Sequence, residues 1–245
     1  VSCGSDRVKS PERAAWAAVR IPDDAMTAHA NHLRLTYLFD GRYQRVTLDE
    51  LAGIKYPADG DDLPNLMVCS NNVVNYARTM GWYSGDDAHF SFNAAYSFYN
   101  FVHIRYREAR VWSIFNRLSG KDMTPYLEYA SGVNKDAEPM PRWVVPEKKL
   151  GLTDLRAATR DHYEDTPFST SATISGGQYG APYTMGPVVY ELDGQRYFGE
   201  RTVATMESTW SYVSQMRSWL PREVGGCLWF VNDAPRLATH SPLYN

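Results

Sequence analysis

The chain has 245 residues, 44% of them hydrophobic and 22% charged, with a formal net charge of −3. That is the balance of a globular protein long enough to bury a core, and it offers no clustered positive charge for nucleic acid or an anionic membrane. No apolar run reaches the roughly 20 residues that span a bilayer. "VSCGSDRVKSPER" (1–13) lacks the apolar region of a signal peptide. The 7 Trp and 17 Tyr imply large, rigid contact surfaces in a core or a cleft.

Along the chain, "AAWAAVRIP" (14–22) and "MTAHANHLRL" (26–35) read as two strands joined into a hairpin by the polar turn "PDDA". "FDGRYQRVTL" follows with another Asp-Gly turn signal. "SNNVVNYARTMGW" (70–82) reads as a helix with Ser70 as N-cap and Gly81 just past its end. "FSFNAAYSFYN" is rich in aromatics and carries no decisive period. "IRYREARVWSIFNRLSG" (104–120) is the strongest helix: Ile104, Val111, Ile114, Phe115 and Leu118 share one face, and Gly120 stops it. Residues 128–149 read as a loop packed by Trp143, and "LTDLRAATRDHYED" (152–165) as a short helix starting at Thr153 or Asp154. "ISGGQYGAPYTMGP" (174–187) is a Gly/Pro-rich loop. "VVYELDGQRYFGE" reads as a hairpin, "STWSYVSQMRSWLP" as an alternating strand and "GGCLWFVND" as one more. Strand groups separated by helices, joined by hairpins rather than crossovers, argue for an α+β fold with antiparallel sheets.

"HANH" (29–32) invites a metal reading. In a strand, however, His29 and Asn31 point to one face and His32 to the other. His89, His103, His162 and His240 form no metal-ligand spacing either, so hydrogen-bonded roles are expected and no metal or other cofactor is assigned. Cys3, Cys69 and Cys227 are too few and too scattered for a disulfide framework or a zinc motif. In "REARVWSIF", taking 100° per residue from Val111, Arg107 lies about 40° and Arg110 about 100° away. Arg105 and Arg117 fall on the solvent side. An arginine in an apolar stripe needs an acceptor, so Arg107 belongs either to a buried ion pair or to a cleft. The four titratable groups of "RDHYEDTPF" (Asp161, His162, Glu164, Asp165) read as a solvated helix end.

Five stretches together resemble the C69 dipeptidases, N-terminal-nucleophile (Ntn) cysteine peptidases related to the secernins. They are "WAAVRIPDDAMTAHANHLRL", "REARVWSIF", "LRAATRDHYEDTPF", "GGQYGAPYTMGPVVYELDGQRYFGERTVAT" and "SYVSQMRSWLPREVGGCLWFVNDAP…SPLY", in that order, covering about Trp16 to Tyr244. The resemblance implies an αββα sandwich that hydrolyses dipeptides through the thiol of an N-terminal cysteine, whose α-amine acts as base. The family's opening, of the type "CTT-I-L-V-G" with a following "R-x-E-D", does not occur here. Residues 1–245 are therefore expected to be the central portion of a longer protein, one incomplete Ntn-type domain, with its cysteine outside the chain and little activity alone. A sandwich cut through its first sheet has open strand edges, which implies pairing with the remaining parts or with another copy. Cys3 would need removal of Val1 and Ser2 to become N-terminal, and Cys69 and Cys227 read as small packed hydrophobes.

The resemblance also assigns roles. Asn31 matches an asparagine that, in the wider cysteine Ntn group, points its amide at the developing oxyanion; the structural alternative is a strand-end Asn bonding its own backbone. Arg107, with Arg110 in reserve, matches an arginine of an "R-x-x-R" run in the cholylglycine relatives. Tyr179 and Tyr183 in "GGQYGAPY" are candidates to touch substrate, or the loop is a tight turn. The competing expectations are a cholylglycine- or penicillin-acylase-type amidohydrolase and a non-catalytic, secernin-like scaffold.

Overall fold

In the computed structural model, which describes residues 15–31, 34–35, 38–39, 41, 44–54, 66–182 and 189–244, the first strand is β1 (Ala17–Val19) within "WAAVRIP". It is followed by β2 (Gln44–Arg45), helix α1 (Leu48–Gly53) and β3 (Leu66–Cys69). The sheet order is β1-β3-β2. β1 runs antiparallel to β3, with Ala17 opposite Cys69, while β2 lies parallel to it, with Gln44 opposite Leu66. All four residues of β3 are buried. A central strand covered on both faces reads as a continuous apolar run rather than an alternating one, as "LMVC" does. α1 opens on a capping box: Thr47 Oγ1 accepts from the Glu50 N–H, and the Glu50 carboxylate accepts from the Thr47 N–H at 2.7 Å.

The hairpin expected from residues 14–35 does not form. The turn is present, with the Ala25 N–H donating to Pro22 O at 3.1 Å. β1 nevertheless takes β3 as partner, and among the described residues of 26–35 only Met26 pairs, across from Val144. The period-2 pattern was outweighed by side chains that anchor this segment elsewhere, as the site geometry shows.

Two compact units divide the chain: residues up to 111 with 124–146, and 112–123 with 147–245. The first holds the three-stranded sheet, α2 (Val73–Thr79), α3 (Phe92–Tyr96), most of α4 (Phe101–Leu118) and α5 (Leu127–Ala130). α2 starts later than its Ser70 suggests, because Ser70 Oγ accepts from the Trp16 N–H at 3.2 Å instead of capping. Gly81, at φ 68°, ends it in the left-handed region as expected. The unassigned aromatic stretch is α3, capped by Ser91 on the Ala94 N–H. It supplies Phe92 and Tyr96 to a core with Phe90, Met67, Leu38 and Val73, against which Trp82 and Trp143 pack. Tyr96 is fully buried, and its hydroxyl is satisfied by donating to Val73 O. α4 buries Ile104, Val111, Phe115 and Leu118 as predicted and leaves Ile114 half-buried. Each such side chain contributes about 1.5–3 kcal/mol relative to exposure.

The second unit contains the end of α4, α6 (Leu152–Ala158), the hairpin β4 (Val189–Leu192)–β5 (Gln195–Phe198), strand β6 (Trp210–Met216), the short α7 (Arg222–Gly225), β7 (Gly226–Asn232) and β8 (Ser241–Tyr244). Asp193 and Gly194, at φ 51° and 72°, make the tight turn that "LDGQ" predicts, and Tyr190 stacks on Tyr197 across the hairpin. β6-β7-β8 form an antiparallel sheet, giving the α+β class; the parallel β2–β3 pair departs from the expected all-antiparallel pairing. The alternation of β6 is real but inverted. Its large residues Trp210, Tyr212 and Met216 are exposed, and Val213 is the one buried.

Candidate functional site

Asn31 stands where the expected strand fails. Its φ is 62°, in the left-handed region that Asn tolerates better than most residues, and it is exposed. This backbone ends any strand alternation at "HANH". His29 Nε2 lies 3.3 Å from Thr27 Oγ1. Because that hydroxyl gives its proton to Arg142 O at 2.7 Å, the imidazole is the donor, so His29 has the hydrogen-bonded role expected of it. His32 lies outside the described residues.

Arg110 reaches Asn31 from α4. Its Nε donates to Tyr106 O of its own helix at 2.8 Å, and its Nη2 donates to Asn31 Oδ1. The oxygen end of the amide is thereby engaged by a cation. The Nδ2 end is left without a hydrogen bond among the described residues, and a charged neighbour polarises it into a stronger donor. Arg107, on the apolar stripe, is 4% exposed and donates to Phe98 O at 2.9 Å, bracing the chain between α3 and α4. The structure thus brings Asn31 together with Arg110, while Arg107 lies in the interior.

Sequence reading missed the group that holds this arrangement. Arg34, three residues past Asn31, is 5% exposed, and Glu108, between Arg107 and Arg110, is 1% exposed. Arg34 Nε donates to both carboxylate oxygens at 3.2 and 3.1 Å, Nη1 to Pro141 O at 2.9 Å and Nη2 to Met140 O at 2.8 Å. One guanidinium therefore ties three segments together: 31–35, α4 and 140–141. The signal was present, since Glu108 lies one turn from both Ile104 and Val111 on the buried face. A carboxylate there demands a cation. Nearby, burial and the Glu108 charge push the Tyr129 hydroxyl above its ordinary range, so it stays neutral.

The other candidates lie in the second unit. Tyr179 is 87% exposed, at the end of the 3₁₀ segment Ile174–Tyr179, and Tyr183 lies outside the described residues. The loop is tightly folded at Gly176, where a Cβ would sit 2.7 Å from Thr170 O.

The expectation of a solvated "RDHYEDTPF" is corrected for Asp161 and His162, while Asp165 is exposed as expected and Glu164 half-buried. Asp161 and His162 are 2% and 4% exposed. The helix stops at Ala158, and left-handed backbone at Tyr163 and Asp165 (φ 65° and 59°) folds the chain inward. Asp161 accepts from Ser113 Oγ, from the Tyr163 N–H at 2.8 Å and from Arg117 Nε at 2.8 Å. Arg117 is exposed, as the helical wheel assigns it, and its Nε also reaches this buried carboxylate. Glu164 binds Arg117 and Arg236 at 3.2 and 2.8 Å. Burial works to raise its pKa, but the His162 N–H, its own backbone N–H and the charges of His162 and Arg117 outweigh it and hold it below the usual range.

Two buried histidines make stability depend on pH. Burial lowers the pKa of His162, whose Nδ1 donates to Arg160 O. Burial, followed by the charges of Arg156 and Arg160, lowers that of His240. With folded values below the unfolded one of about 6.5, the unfolded chain takes up protons first as pH falls. Stability is therefore full above about pH 6.5 and declines as pH drops through it towards the folded values. Urea unfolding at about pH 7.5 and about pH 5.5 is expected to show the decline, reduced in His240→Phe.

A model of Peptidase family C69 matches residues 12–245, nearly the whole chain. The chain belongs to this peptidase family. No curated protein matches it.

Proposed function

We propose that the protein is a cysteine-type dipeptidase of the Ntn kind, built on an αββα sandwich, in which Asn31 Nδ2 donates to the oxyanion that forms when a thiolate attacks the scissile carbonyl. The observation that carries this reading is the Arg110–Asn31 bond, which occupies the amide oxygen and presents its N–H groups. A neutral donor fixed before reaction needs no reorganisation as charge develops, the property required of an oxyanion hole. Arg110 is then a positioning residue, and Arg107 stiffens the helix approach through Phe98.

None of the three cysteines is cast as the nucleophile. Cys69 and Cys227 are buried, and burial pushes the Cys69 thiol up, away from the reactive thiolate. Cys3 lies outside the described residues. The attacking thiol is assigned to a cysteine outside this chain, freed at its own N-terminus. The test compares dipeptide hydrolysis by residues 1–245 with hydrolysis by the protein encoded in the full reading frame. The shorter chain is expected to be inactive and the longer one active until its thiol is alkylated. Hydrolysis by residues 1–245 alone overturns the assignment of the nucleophile. Activity of the longer protein that survives alkylation overturns the cysteine mechanism.

A further inference from the structure

A cleft of about 580 Å³ in the second unit is lined by Arg117, Arg156, Arg160 and Arg236, with Thr153, Ala157, Asp161 and Glu164. Its carboxylates are already committed. Asp161 is bound by Arg117, Ser113 and the Tyr163 N–H, and Glu164 by Arg117, Arg236 and the His162 N–H. The remaining two guanidinium groups have no carboxylate among the described residues. Arg160 is held by two neutral carbonyls, Pro235 O at 2.9 Å and Ala238 O at 3.2 Å. Arg156 makes no hydrogen bond there, and its guanidinium lies 6.0 Å from the centre of the Trp229 ring. Asp154, the acid of the same helix, is occupied by the Gly151 N–H and Lys148.

Arg156, in the last turn of α6, and Arg160, two residues past its end, bring two guanidinium charges to the same cleft. The Arg156 fork, over the Trp229 ring at 6.0 Å, keeps its planar donors free for bidentate pairing. The same two charges bear on His240, which is 4% exposed with neither ring nitrogen hydrogen-bonded among the described residues.

We propose that this cleft is a binding site for a small dianionic molecule, a phosphomonoester or a dicarboxylate, gripped by Arg156 and Arg160 with the Thr153 hydroxyl as a further donor. The site neutralises two charges that the fold leaves uncompensated, and its volume admits more than a bare ion. It is independent of the peptidase reading, since none of its residues is assigned to that reaction.

The test is titration calorimetry of the full chain with inorganic phosphate and, separately, succinate, each at constant ionic strength against chloride. Saturable binding of at least one anion is expected, weakened about tenfold or more by Arg156→Gln and less by Arg156→Lys, in proportion to the bidentate bonds lost. The Arg156 guanidinium makes no hydrogen bond to the described residues, so these variants are expected to keep the parent melting temperature. In the parent, the His240 ring is expected to titrate at higher pH once the site is filled. Binding of phosphate alone assigns a phosphoryl group, and binding of succinate alone a dicarboxylate. Absence of saturable binding for both anions, or an affinity unchanged by Arg156→Gln, overturns the proposal.

Discussion

Asn31→Asp in the active enzyme is expected to lower kcat by about 10²–10³-fold while leaving the fold intact. Aspartate tolerates left-handed backbone nearly as well as asparagine, and it keeps an oxygen for Arg110 Nη2. What it removes is the Nδ2 donor, and it would set a negative charge beside the oxyanion proposed to develop there. Asn31→Gly, which also suits φ 62°, is expected to show a loss of the same order. Asn31→Ala alone is a poorer probe, because alanine is strained at positive φ and part of its effect would be conformational. Arg110→Ala is expected to fall between parent and Asn31→Gly, since the amide remains but is no longer held. Parent-level kcat in both Asn31→Asp and Asn31→Gly, with unchanged melting temperature, would return Asn31 to the role of a turn residue. Steady-state kinetics that separate kcat from KM decide the matter, because an interaction made only in the transition state appears in kcat.

Glu108→Ala is expected to destabilise the protein by about 3–5 kcal/mol, the cost of leaving a buried charge without its partner. Arg34 would then keep its bonds to Met140 O and Pro141 O but lose its counter-charge while only 5% exposed to solvent. The measurement is urea unfolding at neutral pH, with the slope checked against the parent. The double replacement Arg34→Met with Glu108→Leu separates charge from packing. It is expected to recover much of the loss, since apolar residues of similar volume often match a buried ion pair in stability. Restored stability with reduced activity would show that the pair also places Asn31. A loss below about 1 kcal/mol in Glu108→Ala would mean that water reaches Arg34 readily.

How much of this was legible depended on the range of the interaction. The buried face of α4 and the Asp193-Gly194 turn were readable because both are set by residues within a few positions of one another. The segment 26–35 was misread because its period-2 pattern competes with bonds to residues more than a hundred positions away, such as Thr27 to Arg142 and Arg34 to Met140. Asp161 was misjudged for the same reason: its partner Arg117 lies 44 positions away, and a wheel drawn on one helix does not include the loop that returns to it. Asn31 was picked out by resemblance. Its partner Arg110, 79 positions on, was ranked below Arg107 because stripe position ranks burial, and the exposed amide sits at the stripe's margin.

The boundary between the two units falls inside α4, between Val111 and Trp112, and the chain changes unit again after Met123 and after Pro146. Neither half is therefore a module that a gene could gain, lose or exchange as one continuous stretch. Each is stitched from separate pieces of sequence, and severing them would break the longest helix into lengths too short to persist alone in water.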